Sequence, residues 1–285
     1  MSATICLTFD IDAYAAVLFR GEQSAANPSW EHNAATLSCA EFDTQIAVPR
    51  LLALLRDYQI DATFFIPGHT ADCFPKTVES VLEAGHEIAH HGYLHEPPNQ
   101  LSPDQEIETL SKGTESLKRL TGVAPRGYRS PLWEPSPRTV GLLADNGFEF
   151  DSSLMGTDFI PYHPRRDDNI TTAGATYGSE TGIVELPSSW IFDDWSYFGN
   201  VRRPGGGGAT PPSHVLEIWS EQASFAAESV PDGVVVMTIH PQVSGQGYVL
   251  RMWRRLLDKL AADDRVSFSS MGNAARTWRS REREG

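Results

Sequence analysis

Residues 3–12, Ala-Thr-Ile-Cys-Leu-Thr-Phe-Asp-Ile-Asp, form an apolar run that ends in two carboxylates. Apolar and β-branched residues in a short run are typical of a buried strand, which we place at residues 3–9. Further strands are predicted at 61–66, 86–90, 124–129, 147–151, 183–187 and 233–239. Helical periodicity occupies 46–58, 75–84, 103–121, 137–146, 214–228 and 247–262. This alternation favours parallel strands with crossover helices, so the sequence predicts an α/β fold, a distorted (β/α) barrel with about seven parallel strands.

The size and composition of the chain limit its organisation and its partners. We expect a single domain over residues 1–285, with loop insertions at 13–42 and 192–213 that shape the site. The formal net charge of −14 disfavours binding to nucleic acid and to an anionic membrane surface. The first residues contain no basic segment typical of a signal peptide, and no apolar stretch approaches the roughly 20 residues of a membrane span. We therefore expect a cytoplasmic protein.

Polar side chains follow the predicted strands at the points where those strands end. Asp10 and Asp12 come after the first strand, and further candidates follow later strands: His90, His91, His95, Arg129, Asp151 and His240. In barrel enzymes the carboxyl ends of the strands build the active site. The sequence therefore predicts that these side chains meet at one rim of the barrel.

Three of these residues suit a metal ion. His91 and His95 are four residues apart, a spacing that on a helical turn places both imidazoles on one side. Two histidines and one carboxylate are a common ligand set for a divalent cation, which predicts a site formed by Asp12, His91 and His95. Zinc is the first expectation, and cobalt, nickel, manganese or iron suit the same ligands. His90 points the opposite way in an extended segment, which favours a packing role.

The remaining candidates are predicted to act on the substrate. His240 follows a buried strand, which aims its imidazole at the same rim, and we interpret it as catalytic. Arg129 supplies a cation near the carboxylates, and we count it among the catalytic residues, because a neighbouring cation lowers the pKa of a carboxyl group and would hold Asp10 oriented and ionised. We expect Trp133, Trp190 and Asp151 to contact the substrate.

These motifs, in this order, resemble those of the polysaccharide deacetylase family of carbohydrate esterases over roughly residues 4–275. The resemblance implies that Thr8–Asp12 holds the catalytic base Asp10 and the metal ligand Asp12. It implies the metal-binding histidine pair at His91 and His95, an arginine-and-aromatic motif at 128–133, and the catalytic acid at His240. It further implies that the cation polarises an amide carbonyl, that Asp10 takes a proton from the attacking water, and that His240 protonates the departing nitrogen.

The first motif departs from the family pattern, because Ile11 separates two aspartates that are commonly adjacent. The Asp-x-Asp form and the segment from Leu186 to Asp194 resemble a branch that contains intracellular peptidoglycan-deacetylase-like proteins and cyclic imide hydrolases, and that is similar to metal-free allantoinases. Members of this branch tend to be homo-oligomers with enclosed sites. The resemblance therefore implies a homo-oligomer acting on a sugar or small-molecule substrate.

Three functions are compatible with this set of residues. The first is a metal-dependent hydrolase of amide C–N bonds that removes N-acetyl groups from an amino sugar. The second is a hydrolase that opens cyclic imides or ureides. The third is a non-haem iron oxygenase, which also uses two histidines and a carboxylate, although Asp10, His240 and the strand–helix alternation argue against it.

Overall fold

The computed structural model describes residues 1–23, 34–199 and 210–282. Its main sheet is entirely parallel and curls into part of a barrel, with the strand order β10-β5-β4-β3-β2-β1-β11 and an eighth strand, β12, beside β1. Its strands are β1 (Ala3–Asp10), β2 (Thr63–Ile66), β3 (Glu87–His90), β4 (Gly127–Tyr128), β5 (Phe150–Asp151), β10 (Val184–Glu185), β11 (Gly233–Ile239) and β12 (Val266–Phe268). The predicted α/β fold, a distorted (β/α) barrel with about seven parallel strands, is confirmed, and β12 adds one short strand to the seven predicted.

Helices connect these strands. They are α1 (Ala13–Gln23), α2 (Ala34–Phe42), α3 (Val48–Tyr58), α4 (Gly68–Cys73), α5 (Pro75–Glu83), α6 (Pro103–Thr121), α7 (Thr139–Asp145), α8 (Asp194–Phe198), α9 (Pro212–Ser229), α10 (Pro241–Ser244), α11 (Gly247–Ala261) and α12 (Met271–Glu282). A π-helical turn, Asp43–Ala47, leads into α3. None of the helices in these described ranges is long and apolar enough to cross a membrane.

The two predicted insertions differ from irregular loops where the structure describes them. The first holds α1 and α2, and residues 24–33 between these helices lie outside the described residues. The second begins with the short helix α8, and the glycine run at 205–208 also lies outside the described residues. The interpretation of both segments as insertions in a single domain stays a prediction.

A surface region that the sequence did not predict lies between β5 and β10. It contains two small antiparallel pairs, β6 (Arg165–Arg166) with β9 (Ser179–Glu180) and β7 (Asn169–Thr171) with β8 (Gly174–Thr176). Most of these residues are exposed, so they lack the apolar alternation by which a half-buried strand is recognised.

The strands β1 and β11 lie in the middle of the hydrophobic core. β1 and β11 pair along seven positions, and nearly all their side chains are buried because helices cover both faces of the sheet. Trp219 of α9 and Trp253 of α11 pack with ring centroids 5.0 Å apart in the same core. The residues that follow β1 and β11 at the carboxyl ends of these strands are therefore attached to well-packed, paired strands.

Candidate active site

The register of β1 and β11 places the two predicted catalytic groups at the ends of neighbouring strands. Phe9 lies opposite Ile239, so the residues that follow them, Asp10 and His240, emerge side by side at the carboxyl rim of the sheet. Beyond β1, the amide of Ile11 still donates to Phe65 of β2, which keeps the segment extended up to Asp12. Both aspartates are buried.

The segment that carries the two predicted metal-binding histidines is not a helical turn, contrary to the sequence-based expectation. Gly92 and His95 adopt positive φ angles of 73° and 61°, and the Glu96 carboxylate accepts hydrogen bonds from the amides of Tyr93 and Leu94. This compact turn nevertheless brings both imidazoles together, with ring centroids 5.0 Å apart. The four-residue spacing predicted the right pair through the wrong local geometry.

The donor atoms of Asp12, His91 and His95 lie in the arrangement that a small divalent cation requires. Asp12 Oδ1 is 3.6 Å from His91 Nε2 and 3.5 Å from His95 Nε2. Two ligands about 2.1 Å from a tetrahedral ion are roughly 3.4 Å apart, so this spacing fits one metal ion. His91 Nδ1 lies 2.8 Å from the carbonyl oxygen of Arg129, a bond in which Nδ1 donates and leaves Nε2 as the ligand atom. The residues therefore fit a resident metal.

His90 takes the packing role expected of it. Its fully buried ring stacks near Tyr128, and its Nε2 lies 3.1 Å from the carbonyl of Leu110 in α6. Gly113 of α6 permits this approach, since a Cβ at that position would lie 2.4 Å from His90 Nε2.

Arg129 holds Asp10 from inside the protein. Its Nη1 lies 2.6 Å from Asp10 Oδ1 and 2.9 Å from Thr8 Oγ1, and its guanidinium lies over the Phe65 ring. Burial alone would raise the pKa of Asp10, but the charges of Arg129, His91 and His240 and the hydrogen bond from Arg129 together outweigh burial and bring that pKa below its usual range. Asp10 is therefore an ionised carboxylate, as a general base must be.

Whereas a cation holds Asp10, a carboxylate holds His240. This carboxylate belongs to Asp194, a residue to which the sequence analysis gave no role. The fully buried Asp194 accepts hydrogen bonds from the backbone amide of His240, from its Nδ1 at 2.8 Å, and from Ser244 Oγ. Burial would lower the pKa of His240, but the bond to Asp194 and the charges of Asp193 and Asp194 raise it well above its usual range. Adjacent aspartates in the apolar segment before Trp195 were the available signal, because such acids need a cationic partner.

The three predicted substrate residues lie in two different settings. Trp133 and Trp190 form an edge-to-face pair with centroids 4.6 Å apart, and Trp190 is 52% exposed. Trp133 ends a turn in which Leu132 and Trp133 both have positive φ angles, a strained conformation for such residues. Asp151 is instead fully buried, where it accepts a hydrogen bond from Ser153 Oγ. Contact of these residues with substrate stays a prediction.

Comparison with known proteins bears on the family. A family model described as polysaccharide deacetylase matches residues 20–150. A peptidoglycan deacetylase from Helicobacter pylori is 33% identical over 280 residues, covering 93% of this chain and 92% of the relative. The chain belongs to the polysaccharide deacetylase family.

Solved structures agree with this assignment. A Mycobacterium smegmatis protein, assigned to the polysaccharide deacetylases, has a TM-score of 0.82 at 33% identity over 99% of this chain and 91% of its own. Puue allantoinase has a TM-score of 0.77 at 19% identity over 98% and 90% of the two chains, a likeness that shows the fold alone. The prediction of a hydrolase that cleaves an amide C–N bond is confirmed, and neither the cyclic imide nor the oxygenase alternative is favoured.

Proposed function

We propose that this protein is a metal-dependent N-deacetylase of amino sugars within glycan fragments of peptidoglycan type. The observation that carries the proposal is the adjacency of Asp10, held ionised by a cation, and His240, held protonated by a carboxylate. Amide hydrolysis needs a base for the attacking water and an acid for the departing nitrogen, and these two groups meet both needs. The name of the Helicobacter pylori relative supports the substrate class.

Asp12, His91 and His95 would hold one divalent cation. Zinc suits this mixed nitrogen and oxygen set, and cobalt, nickel, manganese or iron suit it as well. When bound, the cation supplies Lewis acidity toward the amide carbonyl and toward water.

The protein's own residues then divide the proton transfers. Asp10 accepts a proton from the water that attacks the acetyl carbonyl, and Arg129 keeps the carboxylate oriented throughout. His240 donates a proton to the amine nitrogen as the C–N bond breaks. Because Nδ1 of His240 is bonded to Asp194, donation falls to Nε2, and the Asp194 carboxylate stabilises the imidazolium before transfer.

The tryptophan pair supports recognition of a sugar ring. Trp190 presents an exposed face beside the rim, and an aromatic face is suited to the apolar C–H face of a pyranose. Asp151 is buried, so it would contribute to substrate binding indirectly, by holding Ser153 and the neighbouring backbone in position.

We also infer a homo-oligomer in the cytoplasm. Ile191, exposed by 43%, offers apolar surface that a second copy would cover. Cys6 and Cys73 are free thiols, which suits a reducing compartment. Mass measurement by light scattering tests the assembly.

Acetate release from N-acetylglucosamine oligomers and peptidoglycan fragments by the zinc-loaded protein tests the activity. Asp10→Asn removes the base, and Asp145→Asn serves as the matched control, because Asp145 is a surface carboxylate paired with Arg166. We expect release by the parent protein and by Asp145→Asn, but not by Asp10→Asn. Hydrolysis of succinimide or hydantoin without acetate release from either glycan would overturn the amino sugar proposal.

A further inference from the structure

The backbone immediately after the metal ligand Asp12 is strained. Ala13 has a φ of 46°, in the left-handed region that residues with a Cβ rarely occupy. Such a conformation persists only where surrounding contacts enforce it, and it is found preferentially at functional sites. This peptide is bonded to the Asp12 backbone, so whatever holds the Ala13 amide also restrains the backbone from which the Asp12 side chain extends.

The group that holds Ala13 comes from thirty residues along the chain. Asp43, which is fully buried, accepts a hydrogen bond from the Ala13 amide at Oδ2, with a separation of 3.1 Å. Its other oxygen, Oδ1, has no hydrogen-bond partner within the described ranges. Burying a carboxyl group costs free energy, so its presence at this position indicates that the carboxyl group has a role there.

Asp43 itself is fixed in place by the turn that carries it. It is the first residue of the π-helical turn 43–47, a form of helix that is rare and frequently lies at functional sites. This turn packs on α10, the segment that follows His240, at a close approach: a Cβ on Gly245 would lie 2.2 Å from the Cβ of Ala47. The turn that carries Asp43 therefore packs against the segment that follows His240, while the Asp43 carboxyl group bonds to the residue that follows Asp12.

The other side of Asp12 is held as well. Thr70 Oγ1 donates to the Asp12 carbonyl oxygen at 2.7 Å, and the amide of Ala15 donates to the same oxygen at 3.0 Å. Asp12 is thus anchored through its own carbonyl group and through the amide of the next residue. Asp43 supplies the second of these anchors.

We propose that Asp43 is a positioning residue for the metal site: it holds the strained Ala13 peptide and thereby aims the Asp12 carboxylate at the cation. The inference rests on the proposed metal site of Asp12, His91 and His95. Asp43 is not a ligand, because its oxygens lie outside the group of donor atoms formed by these three residues. Its contribution is the orientation of Asp12 before the cation arrives.

The test is the affinity for Zn²⁺, measured by competition with a chromophoric chelator, with folding checked by circular dichroism. Asp43→Ala removes the acceptor, and we expect affinity to fall by about tenfold or more, the usual cost of losing a group that orients a ligand. Asp43→Asn retains a carbonyl oxygen for the Ala13 amide, and we expect it to stay within about threefold of the parent. If Asp43→Ala does not fold, Asp43→Ser replaces it, because the serine hydroxyl is too short to reach Ala13.

A second substitution separates positioning from charge. Glycine adopts a positive φ without strain. Adding Ala13→Gly to Asp43→Ala should therefore restore part of the Zn²⁺ affinity that Asp43→Ala loses. Unchanged affinity in Asp43→Ala, or equal losses in Asp43→Asn and Asp43→Ala, would overturn the positioning role while leaving the metal site intact. A parent protein that binds no Zn²⁺ would overturn the proposed metal site and this inference together.

Discussion

Two buried ionisable pairs at the ends of neighbouring strands shift the pKa of their central residue in opposite directions. At the end of β1, the Arg129 cation lowers the pKa of Asp10, whereas beyond β11 the Asp193 and Asp194 carboxylates raise the pKa of His240. Burial opposes the charged form in both pairs, and in both the neighbouring charges and hydrogen bonds together outweigh burial. This difference explains how one rim would hold the proposed base, Asp10, ionised and the proposed acid, His240, protonated at the same pH.

The largest expected effect comes from Asp10→Asn, which leaves the shape of the side chain but removes the base. We expect kcat for acetate release to fall by about 10³-fold, within the usual range for loss of a general base. Zinc affinity should change little, because Asp10 is not one of the three residues proposed to bind the cation, Asp12, His91 and His95. A variant that keeps more than a tenth of the parent kcat would contradict the role of Asp10.

Arg129→Gln should act on the same pair through its charge. Without the cation, the pKa of Asp10 rises, so the acid limb of the kcat/KM profile should move to higher pH, and activity should fall by about 10²-fold. The depressed pKa stabilises the folded protein above the unfolded pKa of the carboxyl group, and that stability is lost as pH falls through the folded pKa. Removing the cation should therefore also destabilise the fold at neutral pH, by about 3–5 kcal/mol.

Urea unfolding of Arg129→Gln at neutral pH measures this loss. An acid limb at an unchanged pH in the folded variant would contradict the assignment of that limb to Asp10.

Asp194→Asn should affect the acid side of the comparison, with a smaller loss of about tenfold in kcat because His240 remains. The pKa of His240 is raised mainly by this carboxylate, and the protonated form is the active one. Activity is lost as pH rises through that pKa, so the alkaline limb should move to lower pH in the variant. Rate measurements across pH test this shift, and a limb that moves to higher pH would reverse the proposed roles.

Trp190→Ala should have the smallest effect and leave both ionisable pairs intact. We expect KM for an amino sugar oligomer to rise about fivefold with kcat nearly unchanged, because stacking contributes to binding and not to the transition state. Steady-state kinetics separates the two constants. A fall in kcat with constant KM would instead connect Trp190 to the chemical step.

The sequence alone predicted the parts of the site that depend on local pattern. An apolar run followed by Asp10 and Asp12 predicts a strand and its end, and the same reasoning placed His91, Arg129 and His240 at one rim. The imidazole pair was also recognised, although the turn at Gly92 is not helical. The exposed strands between 165 and 180 were missed, because a strand without a buried face has no apolar periodicity.

Only the tertiary structure decided which partners set the chemistry of these residues. Asp194 reaches His240 across 46 residues, and Asp43 reaches the Ala13 amide across 30. Such pairs depend on where connecting segments meet at the rim, which the packing of helices against β1 and β11 fixes. Residue type and periodicity determined the positions of the proposed base, the proposed acid and the proposed metal ligands, while long-range contacts in a buried, low-dielectric environment determined their charge and orientation.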